Sequence, residues 1–463
     1  MESAGKVESG LENPAFVPDS SNDRKKSQGG GSITSGDYEP YSQRVLTLPT
    51  TNLETLLHLI KGSMGSGILA MPNAFKNAGY VFGAVATIAI GVICTYTVHL
   101  LVQSSYALCK RRKVPSMGYP ETMEAAMRDG PGYFPKIAPY AEYIVNFFIF
   151  LFQVGTCCVY FVFISSNIQR VMGEYINEID VRLYMCMIFL PIALLNLVRK
   201  LKYLAPFSAL SNFLIVTGVA ITLYYIFRDG LPDISQRNWI GEARGIPLFF
   251  GTVLFALECI GVIMPLENNM KTPKSFGGPT GVFNQAMLVI IFLYTSLGLF
   301  GYLEYGEKIE GSITLNLPNN EILAQVVQIM MAVAIFLTYP LQCYVAVDIL
   351  WNTYLSPKVQ SKKRKLAGEY GVRTGIVLLT FGLAVAIPNL ELFISLVGAL
   401  ALSMVGIILP PIIAMATFEH QRRGWRIYKN IAIVIFGILG MLTGTYVSIV
   451  DIVHSLSSSS SSL

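Results

Sequence analysis

Long apolar runs alternate with short polar connections along most of this chain. A bilayer core asks for about 20 consecutive apolar residues in a helix, and eleven runs come near or exceed that length. They cover 53–80, 81–109, 137–169, 183–198, 203–227, 246–269, 282–306, 321–354, 370–387, 391–417 and 427–453. The fourth and ninth are short, and the third and eighth are long enough to tilt or protrude. The pattern predicts an all-α polytopic membrane protein with eleven transmembrane helices, because a helix satisfies its own backbone groups in lipid. The flanks differ in kind. Residues 1–52 are rich in Ser, Gly, Asp, Glu and Lys and predict a disordered cytosolic tail. Residues 454–463 are nearly all serine and predict a low-complexity tail with no packing role.

Charge position then orients the spans. Lys and Arg collect in alternate connections: Arg24 to Lys26 and Arg44, Lys110 to Lys113, Arg199 to Lys202, Lys271 and Lys274, Lys362 to Lys365, and Arg422 to Lys429. The intervening connections hold few. The positive-inside rule places the N-terminus in the cytosol and the C-terminus on the opposite, extracellular or lumenal, side. The clusters at 110–113 and 362–365 read either as topology signals alone or also as contacts to anionic lipid.

Composition narrows the class. Of 463 residues, 53% are hydrophobic and 14% charged, with a mean hydropathy of +0.52. That excludes a disordered, collagenous or nucleic-acid-binding chain and disfavours a soluble enzyme. The seven cysteines lie in or beside apolar runs without CxxC spacing, so neither a disulfide framework nor a metal site is expected. HExxH, GxSxG and GxxxxGK[ST] are absent, which argues against hydrolytic catalysis and ATP-driven pumping. No cofactor is expected.

Two spans carry breaks. The first reads His58-Leu59-Ile60-Lys61-Gly62-Ser63-Met64-Gly65-Ser66-Gly67, with three glycines and two serines in its last six residues. The sixth reads Phe255-Ala256-Leu257-Glu258-Cys259-Ile260-Gly261, with Pro265 beyond. Each Gly weakens a helix by about 1 kcal/mol relative to Ala. Unwound backbone at membrane depth persists only where it lines a site. A half-helix N-terminus presents bare N–H groups to a carboxylate, and unwound carbonyls suit an ammonium group. Corresponding breaks five spans apart therefore point to a transporter site for an amino acid zwitterion. They nominate Ser63, Gly65, Ser66, Gly67, Phe255, Glu258 and Gly261 for substrate binding. Small-residue helix packing is the competing explanation.

Titratable groups near the breaks each carry two readings. His58 either exchanges the coupled proton or holds the helix break by hydrogen bonding. Glu258 carries the proton, pairs with substrate ammonium, or ties the break together. Glu267 and Asn268 brace helix ends or gate. Glu142 and Asp348 read as tilted helix ends reaching water, His99 as structural, and Lys61 as snorkelling to the cytosol or occupying a cation's space.

Several stretches resemble the proton-coupled amino acid transporter family, within the amino acid/auxin permease group. They are His58 to Pro72 with Lys76-Asn77-Ala78-Gly79, Gly261 to Asn268, Gly301-Tyr302-Leu303 with Gly306, Leu315-Asn316-Leu317-Pro318, and Ser395-Leu396-Val397-Gly398. The resemblance covers about residues 50–453 in order. It implies a leucine-transporter-like pair of inverted repeats, about 53–227 and 246–417, plus an extra helix at 427–453. It implies small neutral amino acids such as alanine and glycine as substrates, with protons as possible partners and His58 at the family's proton-coupling position. It further implies the plasma or late-endosomal/lysosomal membrane and a link to TOR-dependent growth. Vertebrate members pair two lumenal loop cysteines. Here Leu317-Pro318 is followed by asparagine where a cysteine would stand, so that disulfide is not expected. The competing function is a pH-independent transporter acting mainly as a nutrient sensor.

Overall fold

The computed structural model describes residues 38–46, 49–176, 179–199, 201–228, 230, 234–257, 259–418 and 424–460. Its helices run in chain order as α1 (Asn52–Ser63), α2 (Ser66–Ala78), α3 (Tyr80–Arg112), α4 (Tyr119–Asp129) and α5 (Phe134–Met172). They continue as α6 (Val181–Asn196), α7 (Leu201–Arg228), α8 (Gly245–Leu257), α9 (Ile260–Asn268) and α10 (Val282–Tyr305). The remainder are α11 (Ile322–Val347), α12 (Lys362–Ala386), α13 (Leu390–Val397), α14 (Leu409–Thr417) and α15 (Trp425–Ser460). A π-helical stretch, Asp348–Leu355, prolongs α11, and another, Gly398–Ile408, joins α13 to α14.

Among the described residues, nine helical stretches are long and apolar enough to cross a membrane, with α8 and α9 counted as one. The two other expected spans fall short for separate reasons. The first is divided into helices of 12 and 13 residues. The fourth, α6, has 16 residues and rises about 24 Å, under the ~30 Å hydrocarbon core.

Burial sorts centre from rim. In α5, α8–α9 and α13–α14, 72%, 76% and 78% of the apolar stretch is buried, against 28% in α12 and 22% in α15. The inner helices are apolar on nearly all sides because every side meets protein. α5 lies against α4, α11, α12 and α13, and α2 against α8 and α10. The close approach of α8 to the α13 end is glycine-dependent: a Cβ on Gly398 would stand 1.9 Å from Gly251 O. That is one physical role of the Ser395-to-Gly398 motif.

Three expectations about individual segments need revision. Residues 38–46 and 49–51 belong to the folded domain, with a 3-10 turn at Pro40–Gln43. They are held because Arg44 finds a buried carboxylate, as described below. At the other end, α15 runs on to Ser460. Serine hydroxyls can bond back to the preceding turn there, as Ser457 Oγ does to His454 O at 2.9 Å. Asp348 does not reach water: it is 4% exposed and accepts from Asn352 Nδ2 at 2.5 Å. Residues 1–37 and 461–463, on which the remaining tail expectations fall, lie outside the described residues.

Candidate functional site at two helix breaks

The first break begins where α1 ends at Ser63. Thr51 and Glu54 form a capping box that starts α1, with Glu54 N–H donating to Thr51 Oγ1 at 3.3 Å and Thr51 N–H to Glu54 Oε2 at 2.8 Å. Met64 (ψ 99°) and Gly65 (φ −145°, ψ −153°) are extended, and α2 starts at Ser66. Gly65 is the N-cap of α2 and offers no side-chain acceptor, so the first-turn N–H groups of α2 are not capped by it. The Ser66 hydroxyl is buried there without a protein partner. On the other side of the break, Ser63 Oγ donates to Leu59 O at 3.1 Å, and the Ser63 carbonyl accepts from the Tyr294 hydroxyl of α10.

The second break lies between α8 and α9. Its N-cap is Cys259 (φ −140°, ψ 2°), again without a side-chain cap. Two uncapped half-helix N-termini are therefore built into one bundle. α2 and α8 hold the breaks side by side through Gly67, where a Cβ would meet Ala256 Cα at 2.7 Å and Phe255 O at 3.3 Å. Gly65, by contrast, is open: the nearest atom to a Cβ there is the Tyr160 hydroxyl, at 3.9 Å. Gly261 faces open space within 4 Å. Phe255 closes one side, its ring 6.2 Å from that of Phe152 on α5. Beside the second break, Leu257, Cys259, Ile260 and Phe283 enclose a space of only ≈ 30 Å³, about one water's share of liquid.

Each end of this region is closed differently. On the basic face, Arg44 Nη2 pairs with Glu267 Oε2 at 3.0 Å, Nη1 donates to Glu267 O at 3.0 Å, and Nε to Pro115 O at 3.0 Å. The two side chains are 6% and 3% exposed. The Tyr41 ring lies 4.7 Å from the guanidinium, and burial, then the Glu267 charge, push the Tyr41 phenol up, keeping it a neutral donor. Next to this pair, Thr50 and Met270 form a parallel β-bridge, with Thr50 N–H donating to Asn269 O and Lys271 N–H to Thr50 O, both at 2.9 Å. The segment before α1 is thus laced to the end of α9. On the opposite face the end of α2 lies under the loop before α8. Gly241 N–H donates to Ala78 O at 2.7 Å, and Asn77 Nδ2 to Glu391 Oε1 of α13 at 2.7 Å.

The structure brings Ser63, Gly65, Ser66, Gly67 and Phe255 together, with Gly261 as the second residue of α9. Gly67 is a packing glycine, so the small-residue explanation holds at that position while Gly65 stays open to the break. Glu258 lies outside the described residues. His58 does not join the cluster. The buried stripe of α1 is Thr55, Leu59 and Ser63, and His58, about 100° away from Leu59, is exposed. His99 is held by Asn284 Oδ1 at 2.7 Å, as a structural histidine would be. Glu267, expected to brace a helix end or gate, does pair at the end of α9, but three contributors escaped sequence reasoning: Tyr160, Tyr294 and Arg44, the partner of Glu267. Both tyrosines sit inside apolar runs with nothing to mark them, and Arg44 is 223 residues from its partner.

Two half-helix N-termini meeting inside a helical membrane bundle define a transporter, with unwound backbone as its recognition element. The family described as transmembrane amino acid transporter protein matches residues 49–450, and the chain belongs to that family. It is 38% identical to the proton-coupled amino acid transporter-like protein pathetic of Drosophila melanogaster, over 94% of this chain and 92% of that protein. It is 27% identical to the probable amino acid transporter skat-1 of Caenorhabditis elegans, covering 88% and 91%. Its fold is similar to that of Mhp1 in an inward-facing conformation, with a TM-score of 0.54 at 14% identity, covering 94% and 96%. The chain is a multi-pass, leucine-transporter-like membrane protein and not an enzyme.

Proposed function

We propose that this protein is a secondary active transporter of small neutral amino acids, of the alanine and glycine type. The observation that carries the reading is the open Gly65 break, with the uncapped start of α2 beside Tyr160, whose hydroxyl stands 3.9 Å from where a Cβ on Gly65 would lie. The α2 N–H groups and the Ser66 hydroxyl receive the substrate carboxylate, and carbonyls at the broken ends receive its ammonium group. Tyr160, Phe152 and Phe255 limit the side chain to a small one. Eleven spans serve this function as two repeats, 53–227 and 246–417, plus the helix at 427–453, with the N-terminus in the cytosol. Transport is electrogenic and proton-coupled, with Glu258 at the second break and His58 on α1. His58 sits on α1 itself, so a charge gained there acts on the half-helix that ends at Ser63. The name of the Drosophila relative supports the coupling. The same family likeness supports the plasma or late-endosomal/lysosomal membrane and a TOR-linked growth role.

Labelled alanine uptake into proteoliposomes, with and without an imposed potential and between pH 5.5 and 8, tests the reading. A coupled cation is worth about 2.3 kcal/mol per 100 mV, so an inside-negative potential should drive accumulation. Absence of alanine and glycine flux overturns the substrate class. A flat pH profile overturns proton coupling and favours the nutrient-sensor alternative.

A further inference from the structure

The basic cluster at the end of α3 does more than mark topology. Lys110 and Arg111 line a cavity of ≈ 700 Å³ together with Lys274 from the loop after α9, His99, Tyr106 and Tyr41. That volume is of the size that holds a small organic ligand, and much larger than a bare anion needs. Among the described residues, neither Arg111 nor Lys274 has a carboxylate within ion-pair distance. Glu267 is paired with Arg44, and Glu39 accepts from the Tyr106 hydroxyl at 3.1 Å; neither carboxylate lines the cavity. The imidazole of His99 borders the same space, its Nδ1 3.7 Å from where a Cβ on Gly277 would stand. Phe418 adds an apolar wall. Arg111 and Lys274 are exposed, as is the other basic cluster, Lys362 to Lys365, but that cluster is not part of this cavity's lining.

The geometry points to a binding site, on the basic face between α3 and the loop after α9, for the phosphorylated headgroup of an anionic lipid. Arg and Lys supply charge-assisted hydrogen bonds to phosphate oxygens, and an apolar wall suits the start of an acyl chain. A soluble sugar phosphate shares the headgroup chemistry, so the test separates the two. The site borders the closure of the basic face, because Tyr41 forms one wall and stacks on both Tyr106, with ring centroids 4.7 Å apart, and Arg44. A seated headgroup presses Tyr41 against Arg44 and so favours the Arg44–Glu267 pair. The proposal does not depend on which amino acid is carried.

The test is thermal-shift and thermophoresis binding on the purified full chain in detergent. The probes are dioctanoyl phosphatidylinositol monophosphate, dioctanoyl phosphatidylcholine and soluble inositol bisphosphate. The phosphorylated lipid should bind saturably and phosphatidylcholine should not. The double variant Arg111→Gln/Lys274→Gln should weaken binding by on the order of tenfold, while Lys362→Gln/Lys363→Gln leaves it unchanged. Preference for the lipid over inositol bisphosphate assigns the source to the membrane, and equal affinity assigns it to a cytosolic phosphate; both support the headgroup site. No saturable binding, or equal loss in both double variants, overturns it. Should the first double variant aggregate, Lys274→Gln alone, in an exposed loop, carries the same comparison.

Discussion

The two ends of the broken-helix region are closed by different chemistry. The basic end is held by side chains: one buried ion pair, Arg44–Glu267, beside a two-residue β-bridge. The opposite end is held mainly by backbone brought into contact at glycines, with one neutral-to-carboxylate side-chain bond, Asn77 to Glu391, beside it. A Cβ on Gly241 or Gly245 would stand 2.3 Å from Asn77 O. An ion pair can part and be rehydrated, because water replaces each partner's interactions as the gap opens. Close backbone docking has no such replacement for its lost van der Waals contact. The comparison therefore assigns the more readily reversible closure to the basic end, and the stiffer one to the end capped by the loop before α8.

The largest expected effect tests that assignment. Arg44→Ala leaves Glu267 buried without its cation, a cost of about 3–5 kcal/mol if the closure persists. Opening relieves it, so the basic end should open. Cys259, 6% exposed at the second break, should then react far faster with a membrane-impermeant maleimide applied from the basic face. Restoring the balance with Arg44→Ala/Glu267→Gln should recover stability but not the closure. Unchanged Cys259 labelling in Arg44→Ala would remove the ion pair from any gating role.

Gly241→Val probes the stiff end. Overpacking against Asn77 should cost about 1–3 kcal/mol of stability, read as a lower Tm, with Cys259 labelling from the basic face near wild type. A labelling increase equal to that of Arg44→Ala would show that the two ends do not differ in the way proposed. The same logic separates two glycines that the sequence treats alike. Gly67→Val must displace the Ala256 backbone and should cost a similar amount of stability. Gly65 has an extended φ and open space, so Gly65→Val should fold normally and lose alanine binding.

That separation shows what was legible in the chain. Broken helices are written in composition, since Gly and Ser within an apolar run are locally destabilising wherever they fall. What each glycine faces is not local: Gly67 meets a residue from α8, nearly 190 positions on, and Gly65 meets a tyrosine hidden in the apolar run of α5. The helical, multi-pass character was legible because lipid forces a chain to satisfy its backbone groups in helices. Of the Arg44–Glu267 closure only Glu267 was legible, because Arg44 looked like one more charge in a polar tail. For His58 the missing information was rotation. The stripe Thr55, Leu59, Ser63 repeats every four residues and places His58 off the buried face. Yet Thr-x-x-Glu before an apolar run is a readable helix start, and the structure uses it at Thr51 and Glu54.

The smallest effect belongs between the two ends, at Tyr294. Its hydroxyl donates to the Ser63 carbonyl, one of the groups freed where α1 stops. Tyr294→Phe keeps the ring, which is fully buried, and removes only that bond. A net hydrogen bond is worth about 1 kcal/mol, roughly fivefold in an equilibrium constant. If the bond only steadies the break, Tm should fall slightly and alanine affinity should stay constant. If the carbonyl is shared with the substrate ammonium group, its release should alter alanine affinity by about that factor. In both cases neither end is touched, so Cys259 labelling from the basic face should remain within a few-fold of wild type. An acceleration as large as that of Arg44→Ala would mean that the break itself, rather than the ion pair, holds the basic end closed.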